Sequence, residues 1–398
     1  MATLVLVGGR DAALDAALQQ GHAVFYVAER KPLKRRRAHL IGHLQVDFDE
    51  HDEASFVQAC IDAFRQHPQF ADARAVIAVA ERAVLPAAWL RNALQLPGNS
   101  AQSALWCRDK FAMKRRIRSA GIRCADFARI HGRTTAQSLI GRLGLPLVIK
   151  PLAASGSRGS TTARTQGEVE DALAVGHIAE SYVHGLEMSV ESYVVDGRVV
   201  FVNPTEYLLP LWANVVPAAL PASVLNAVLE LNQKAIEALD IQSGMTHLEL
   251  FLTADGPVFS ELAQRPPGGH LMELLARAYR FDPWRALFDS HLGLWPASSP
   301  QPQQHAGMWL LHPGEGTVKN VRGLRTGRAI AGVEDVQCRV KPGDNLARRL
   351  GSGESAAHVI ATGASRDEVV TALNLARRSL WIDVERPRRS RSSRRRAA

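Results

Sequence analysis

Short runs of apolar residues alternate with longer amphipathic stretches along the first hundred positions of the chain. Strand-like apolar runs occupy residues 3–7, 23–27, 45–48 and 75–80. Helical periodicity of the apolar positions marks residues 11–20 and 53–66. Strands that alternate with helices in this way are typical of a small parallel sheet with helices on both faces. Residues 1–100 are therefore predicted to form an α/β domain.

A second pattern begins after Pro97–Ser100, a turn-forming sequence that marks a domain boundary. Predicted strands cover residues 147–150, 160–163, 178–183, 187–195 and 199–204. Predicted helices cover residues 101–120, 166–173, 220–239 and 269–279. Asp196-Gly197 joins two of the strands as a type I′ turn, which needs positive φ at both residues. Neighbouring strands mixed with long helices predict an α+β domain over residues 101–295.

The last part of the chain is set off by a linker rich in Pro, Ser and Gln at residues 296–302. Beyond it the apolar runs are shorter, and a glycine-rich turn precedes a final predicted helix at 366–376. We expect a β-rich C-terminal subdomain over residues 303–385. Arg/Ser repeats at 386–398 predict a disordered basic tail, because such residues cannot bury a core.

Charge and cysteine usage narrow the class of protein. The formal net charge is +9, but seven arginines lie in the tail and leave +2 for the rest, so the charge favours a solvated end over a nucleic-acid-binding surface. The four cysteines are scattered without a CxxC pair, and nothing resembles a secretory signal. No apolar run approaches the roughly 20 residues of a membrane span. We expect a reduced, zinc-free, cytoplasmic protein without a membrane partner.

The most informative segment is a predicted β-hairpin between residues 246 and 265. Both flanks have strand composition, and Ala254-Asp255-Gly256 suits a three-residue loop with Gly256 in the left-handed region. This loop would pair Thr253 with Pro257. The register of the whole hairpin follows from that first pair, because side chains alternate between the two faces.

Glu249 and Glu261 lie directly opposite each other in this register. Two like charges across a ladder repel, so the pair predicts a cation between the carboxylates. A register shifted by one residue would instead place Glu249 opposite Leu262, with the side chains on opposite faces. Beyond Glu261, alternation puts Ala263 and Arg265 on the same face. An arginine there would either stabilise charge on a transferring phosphoryl group or pair with a glutamate.

A lysine followed by a glycine- and serine-rich loop is the second candidate for chemistry. Lys150 ends the apolar run, and residues 153–161 read Ala-Ala-Ser-Gly-Ser-Arg-Gly-Ser-Thr. A lysine at a strand edge can neutralise phosphate, and glycines let backbone N–H groups turn towards phosphate oxygens. The spacing is not that of a Walker A motif, so a structural loop is the alternative. Gly8-Gly9 likewise lacks the GxGxxG spacing of a dinucleotide-binding turn.

The linker over residues 180–187 is the third candidate. Its extended backbone exposes N–H and C=O groups that can pair with the edge of an adenine ring. Glu187 could accept hydrogen bonds from ribose hydroxyls. Solvated strand ends are the alternative interpretation for Glu180 and Glu187.

Together these motifs resemble the ATP-grasp superfamily, at the level of its carboxylate–amine (amino-acid) ligase branch. The resemblance covers residues 106–294 and depends on the order and spacing of its motifs. These are Asp109-Lys110 at a helix start, Val148-Ile-Lys-Pro151 with its glycine loop, Glu180-Ser-Tyr-Val183, Gly185-x-Glu-x-Ser189, Thr246-His-Leu-Glu249, and Glu261-x-x-x-Arg265 with Gly268-Gly269. The resemblance implies an ATP-binding core of two subdomains, with a small α/β domain before it and a β-rich subdomain after it.

The resemblance implies nucleotide contacts for three groups of residues. The ATP phosphates would be bound by Lys110 and Lys150. The loop that would close over them contains Ser155, Gly156, Ser157 and Gly159. Adenine would meet Glu180 and Val183, and the ribose would meet Glu187.

The resemblance also implies a metal site and a reaction. Glu249 and Glu261 would hold Mg²⁺, with Mn²⁺ as an alternative ion, and Arg265 and Lys150 would act in catalysis. A substrate carboxylate would take the γ-phosphoryl group of ATP, and an amine would then displace phosphate to form an amide. Many relatives place an asparagine metal ligand where this chain has Ala263. The two glutamates would therefore carry more of the metal binding here.

Three other functions stay open on the sequence alone. An ATP-dependent carboxylase would share these motifs and use bicarbonate as its acid. Ala263 is compatible with a non-catalytic nucleotide-binding member, and a nucleic-acid-binding protein rests only on the arginine tail. No motif specifies the carboxylate and amine substrates. A homodimer is implied only by the resemblance to the family. Weaker candidates for substrate contacts are Arg158, His247 and His270.

Overall fold

A computed structural model of the chain describes residues 1–351 and 353–386. The predicted basic tail lies, beyond Arg386, outside the described residues. The fold is a mixed α/β arrangement in which a small parallel sheet, as the alternating pattern predicts, precedes three antiparallel sheets. No helix of the described residues is long and apolar enough to cross a membrane.

The first unit is a parallel sheet of four strands in the order β3-β2-β1-β4. Its elements are β1 (Thr3–Val7), α1 (Asp11–Gln19), β2 (Ala23–Ala28), α2 (Lys34–Arg37), β3 (Gly42–Gln45), α3 (Glu53–Phe64), β4 (Ala73–Ala78) and α4 (Val84–Ala93). Both faces are covered, because Leu4 and Leu6 enter one hydrophobic core while Val5 and Val7 enter another. The strand order reverses at β1, because β2 and β3 lie on one side of it and β4 lies on the other. The carboxyl ends of β1 and β4 therefore flank the crevice where ligands of such sheets bind.

The third strand lies earlier than the sequence predicts. The apolar run at 45–48 indicates a strand there, whereas β3 pairs Gly42 through Gln45 with β2. A Cβ at Gly42 would stand 2.6 Å from the ring of Phe25, so the small residue permits this close pairing. Val46 and Phe48 are still buried, which explains their apolar character without a strand.

The second unit carries a four-stranded antiparallel sheet in the order β5-β8-β6-β7. Its elements are α5 (Ala101–Arg108), α6 (Lys110–Ser119), β5 (Phe127–Arg129), α7 (Ala136–Leu143), β6 (Leu147–Pro151), β7 (Thr161–Ala163), α8 (Gln166–Ala172) and β8 (His177–Ser181). The single helix predicted over 101–120 is in fact two helices. Asp109 leaves helical geometry and caps α6 by accepting hydrogen bonds from the N–H groups of Phe111 and Ala112.

The largest sheet has eight strands in the order β13-β12-β9-β10-β11-β14-β18-β16. The elements of this region are β9 (Leu186–Val195), β10 (Arg198–Leu209), β11 (Ala213–Val216), α9 (Ala222–Ala238), β12 (Gly244–Thr253), β13 (Gly256–Ala263), α10 (Leu271–Tyr279), α11 (Pro283–His291), β14 (His305–Leu311), β15 (Gly316–Arg322), α12 (Leu324–Arg328), β16 (Val333–Cys338), β17 (Asn345–Leu346), β18 (Ala357–Gly363), α13 (Arg366–Ser379) and β19 (Trp381–Glu385). Strands on both sides of the linker at 296–302 share this sheet, and the domain boundary there stays a prediction.

The hairpin of β12 and β13 reaches its predicted pairing by a different route. The turn has two residues, so Thr253 pairs with Gly256, and Leu252 rather than Thr253 pairs with Pro257. This register alone would set Glu249 opposite Ser260. A β-bulge between the Glu249 and Leu250 pairs adds one residue to β13 and restores Glu249 opposite Glu261.

Candidate active site

A cavity of about 510 Å³ opens where the parallel sheet, the sheet of β5 to β8 and the eight-stranded sheet approach one another. This volume is typical of small-molecule sites. Nine of the predicted site residues line it: Lys110, Lys150, Ser155, Gly156, Ser157, Glu187, Glu249, Glu261 and Arg265. Three do not line it: Gly159, Glu180 and Val183. The cavity therefore collects the predicted phosphate and metal residues, while the predicted adenine contacts lie outside it.

One face of the large sheet supplies a row of carboxylates. Alternation along β9 places Glu187, Ser189 and Glu191 on this face, and the pairing of β12 sets His247 beside Glu191 and Glu249 beside Ser189. Glu261 on β13 completes the row. Acidic side chains on three adjacent strands would repel one another in a buried site unless cations neutralised them.

Two side chains supply positive charge to the facing glutamates. Lys110 Nζ lies 3.2 Å from Glu261 Oε1 and also donates to the carbonyl of Ala154 at 2.6 Å. His247 Nε2 lies 3.5 Å from Glu249 Oε1. Burial alone would raise the pKa of Glu249, but the hydrogen bond and charge of His247 lower it to about 2. Glu249 is therefore ionised at neutral pH.

His247 bridges Glu249 to a buried carboxylate that the sequence does not single out. Its Nδ1 lies 2.8 Å from Glu191 Oε1, and Glu191 is fully buried. Burial alone would lower the pKa of His247, but hydrogen bonds to the two glutamates raise it to about 9. Asn203 and Ser189 also donate to Glu191, at 3.0 and 2.8 Å. This network fixes the strand positions on which the site depends.

The donor set at the hairpin suits Mg²⁺ only if a ligand contributes oxygens. Among residues 1–351 and 353–386, no group of three or more His, Cys, Asp or Glu side chains is arranged to hold a metal ion. Mg²⁺ commonly binds one or two carboxylates together with substrate phosphates. Glu249 and Glu261 fit that description, whereas Ala263, 5% exposed and opposite His247, cannot coordinate.

Glu187 has the opposite electrostatic character to Glu249. It lines the cavity near the start of β9, and burial together with the charge of Glu249 raises the pKa of Glu187 to about 7. A carboxyl group that is partly protonated near neutral pH can accept or donate a hydrogen bond. This suits contact with a neutral hydroxyl better than with an anion.

Lys150 belongs to a buried group of three charges. Its Nζ lies 3.0 Å from Glu180 Oε1, and Lys114 Nζ lies 3.2 Å from Glu180 Oε2. Burial opposes the ionised form of Glu180, but the two lysines lower its pKa. The carboxylate of Glu180 is thus occupied by lysines, so any contact of this residue with a base would fall to its backbone.

The glycine- and serine-rich loop follows β6 and returns to β7. Gly156, Ser157 and Gly159 have φ values of +64°, +61° and +71°, so the glycines suit the left-handed turns that they make here. The carbonyls of Ala153 and Ala154 at the loop's start accept from Arg108 and Lys110. The loop is thereby tied to helices α5 and α6 beside the cavity.

Arg265 is oriented by the first unit of the fold. Its Nε donates to Glu81 Oε2 at 2.7 Å, and Arg108 Nη1 donates to Glu81 Oε1 at 2.5 Å. The glutamate partner of Arg265 is therefore neither Glu249 nor Glu261. Burial opposes ionisation of Glu81, but the two arginines lower its pKa.

Sequence reasoning did not single out Glu81 or Arg10, although both line the cavity. Arg10 follows β1 and Glu81 follows β4, at the point where the order of the parallel strands reverses. Ligand-binding residues of parallel sheets gather at this edge. The sequence feature that could have identified Arg10 and Glu81 is their position shortly after the predicted strands 3–7 and 75–80. Neither residue belongs to a motif.

Comparisons with known proteins identify two parts of the chain. A family model described as the ATP-grasp domain matches residues 115–274, and one described as L-amino acid ligase C-terminal domain 2 matches residues 308–385. The chain therefore contains an ATP-grasp domain, followed by an L-amino acid ligase C-terminal domain. The resemblance drawn from the motifs is thus confirmed.

Similar proteins extend beyond these two parts. The chain is 22% identical over 331 residues to an L-arginine-specific L-amino acid ligase of Bacillus subtilis, covering 78% of this chain and 80% of that protein. It is 27% identical over 199 residues to D-alanine–D-alanine ligase A of Salmonella typhimurium, covering 44% and 54%. An L-amino acid ligase structure from Bacillus licheniformis superposes with a TM-score of 0.82 at 20% identity, covering 97% and 99% of the two chains.

Proposed function

We propose that this chain is an ATP-dependent ligase that joins a small-molecule carboxylate to an amine through an acyl phosphate, with Mg²⁺ or Mn²⁺. One observation carries the proposal. Facing carboxylates, two lysines and an arginine converge on one cavity of an ATP-grasp domain, and an L-amino acid ligase C-terminal domain follows it. The similarity to L-amino acid ligases makes amino acids the first substrates to test.

Binding of ATP in the cavity would use the cations described above. Lys110 and Lys150 would contact the phosphates, and Ser155, Gly156 and Ser157 would offer backbone N–H groups to them. Glu187 would accept from or donate to the ribose. Glu180 and Val183 would meet adenine through the backbone, because the Glu180 side chain is held by Lys114 and Lys150.

Catalysis would depend on positioning and charge neutralisation rather than on a protein nucleophile. Glu249 and Glu261 would hold Mg²⁺, which would neutralise negative charge on the nucleotide phosphates. Arg265, fixed by Glu81, would stabilise negative charge on the phosphorylated carboxylate. An amine held at the same end of the cavity would then displace phosphate and form the amide.

The direct test is a screen for phosphate release with ATP, Mg²⁺ and pairs of amino acids. We expect release above the ATP-only background for at least one pair, together with a product that carries a new amide bond. Release that requires bicarbonate and no amine would instead indicate a carboxylase. Tight ATP binding without release for any pair would indicate a non-catalytic member.

Replacing Glu81 by glutamine should lower kcat by about 10–100-fold, as loss of a supporting side chain commonly does. The reason is that Arg265 and Arg108 lose the carboxylate that both contact, while Glu249 and Glu261 are untouched. Steady-state kinetics at saturating ATP measure the effect. Glu53→Gln, an exposed position on α3, is the matched control. An unchanged kcat would show that Glu81 does not position Arg265.

A further inference from the structure

Arg10 is a cation at the edge of the cavity, and no carboxylate of residues 1–351 or 353–386 pairs with it. Its Nη1 and Nη2 donate to the carbonyls of Pro266 and Pro267 at 2.8 and 2.7 Å, and its guanidinium lies 4.8 Å from the ring centroid of Trp284. In the part of the chain that the structure describes, Arg10 makes no ion pair. Carbonyls and a ring orient the guanidinium but do not neutralise it.

The described residues around Arg10 leave its positive charge without a neutralising partner, which favours binding of an anion. Burial and the nearby charge of Arg265 lower the pKa of Arg10 to about 10, so it stays protonated at neutral pH. The charge of Glu273 also acts on Arg10 and raises its pKa, but the Glu273 carboxylate lies 2.9 Å from His270 Nδ1 and is half-exposed. Arg265, by contrast, is paired with Glu81. The uncompensated charge at this end of the cavity is therefore that of Arg10.

The cavity has room for a ligand beside this cation. Gly9 and Arg10 both line it, and a Cβ at Gly9 would meet no atom within 4 Å. Gly268 also lines the cavity with open space at its Cβ position. Leu271 and Met308 provide apolar surface nearby. An anionic group attached to a short apolar side chain would fit this combination.

We propose that Arg10 binds the free α-carboxylate of the amino acid that serves as the amine. This carboxylate is distinct from the one that is phosphorylated. The proposal deepens and rests on the proposed ligase function. In a ligation of two amino acids the acid partner's α-carboxylate is consumed in the new bond. The amine partner keeps its own, and the partly buried guanidinium of Arg10, beside Arg265, would neutralise it.

Acceptors that differ only in this carboxylate test the assignment. The probes are L-alanine and L-alaninamide, and then each amino acid that accepts in the phosphate-release screen with its own carboxamide. We expect the wild type to prefer the free acid. Arg10→Met should lower kcat/KM for the acid by about 10–100-fold, mainly through KM, as expected for a lost charged hydrogen bond. The carboxamide should change by clearly less than the acid, because its neutral carbonyl oxygen can accept from Arg10 but carries no charge for Arg10 to neutralise.

Controls separate binding from folding. Arg10→Lys keeps the positive charge and should retain part of the preference for the acid. Arg65→Met removes an exposed arginine directly after α3 that pairs with Asp62 and should change kcat/KM for neither acceptor. If Arg10→Met does not fold, the Arg10→Lys comparison alone decides between the two acceptors. Equal losses for acid and carboxamide would overturn the assignment and leave Arg10 as a brace for Pro266 and Pro267.

The failure of the ligase proposal would be distinguishable from the failure of this one. No phosphate release with any pair would overturn the proposed function. Calorimetric titration of the same acids and carboxamides, with ADP and Mg²⁺ present, then tests Arg10 independently. Tighter binding of the acid that disappears in Arg10→Met would support the site, and equal binding of the two probes by the wild type would overturn it.

Discussion

Replacing Glu261 by glutamine is expected to lower the rate of phosphate release by at least about 10²-fold, in the range found when a group that stabilises transition-state charge is removed. Glutamine keeps the size of the side chain but removes the charge that a divalent cation requires. Ala263 supplies no further ligand on this face, so Glu249 alone of the proposed pair remains to hold the cation. Glu249→Gln should be at least as damaging, because it also removes the negative charge that faces His247.

The measurement combines phosphate release with metal dependence. We expect the glutamine variant to need a higher Mg²⁺ concentration for half-maximal activity, and to bind ADP as the wild type does when Mg²⁺ is absent. Glu230→Gln removes an exposed carboxylate of α9 that pairs with Lys234 and is the matched control. Wild-type activity and metal dependence in Glu261→Gln would contradict the metal assignment.

The hairpin shows how a sequence can predict a site while missing its local geometry. The facing of Glu249 and Glu261 is as predicted, but the three-residue loop is wrong, because a two-residue turn and a later bulge produce the same pairing. Composition does not distinguish these routes, since both place one extra residue in β13 or its turn. The bulge depends on tertiary packing that involves Phe259, whose N–H donates to the carbonyl of Arg123.

Contacts between distant segments were the part that the sequence could not supply. Lys150 and Glu180 were each assigned a ligand, whereas the structure pairs them with each other across β6 and β8. Arg265 was placed near phosphate, but its partner Glu81 comes from the first unit. Motif spacing predicts the roles of residues that lie close together in the sequence or that match the motifs of a known family. Pairs such as these depend on how the sheets are arranged in space.

The element pattern was predicted best where periodicity is strong. Strands β1 and β9 and helices α1 and α9 lie within a few residues of their predicted bounds, because their apolar faces are buried over most of their length. Short elements such as β5 and β17 were missed, since three residues or fewer carry no period. The break between α5 and α6 depends on one capping residue, Asp109, within otherwise helical sequence.

The second large effect is expected at Glu180, where glutamine should destabilise the fold by about 3–5 kcal/mol, as breaking a buried ion pair commonly does. Glu180 is 5% exposed and lies between Lys114 and Lys150. Without its charge, two buried ammonium groups face each other uncompensated. Lys114→Met should cost much less, because one lysine still balances Glu180. Burial lowers the pKa of Lys114, so the fold favours the charged form of this lysine less than water does.

The pH dependence of stability should follow the same carboxylate. The pKa of Glu180 is below its ordinary value of 4.5 in the folded chain, although burial opposes this, because of the two lysines. Its contribution to stability is therefore present above pH 4.5 and is lost as the pH falls through the lower, folded-state pKa. Glu180→Gln lacks this contribution at every pH. Its difference from the wild type should accordingly shrink in acid.

Unfolding measurements on three variants distinguish a structural role for the Glu180 side chain from a role in binding adenine. Chemical denaturation of Glu180→Gln, Lys114→Met and the double variant should give a double variant more stable than Glu180→Gln alone, because removing Lys114 removes the excess positive charge. Selectivity for ATP over GTP should stay unchanged in whichever variants fold. A large loss of selectivity with unchanged stability would instead assign the carboxylate to the base, against its position between two lysines.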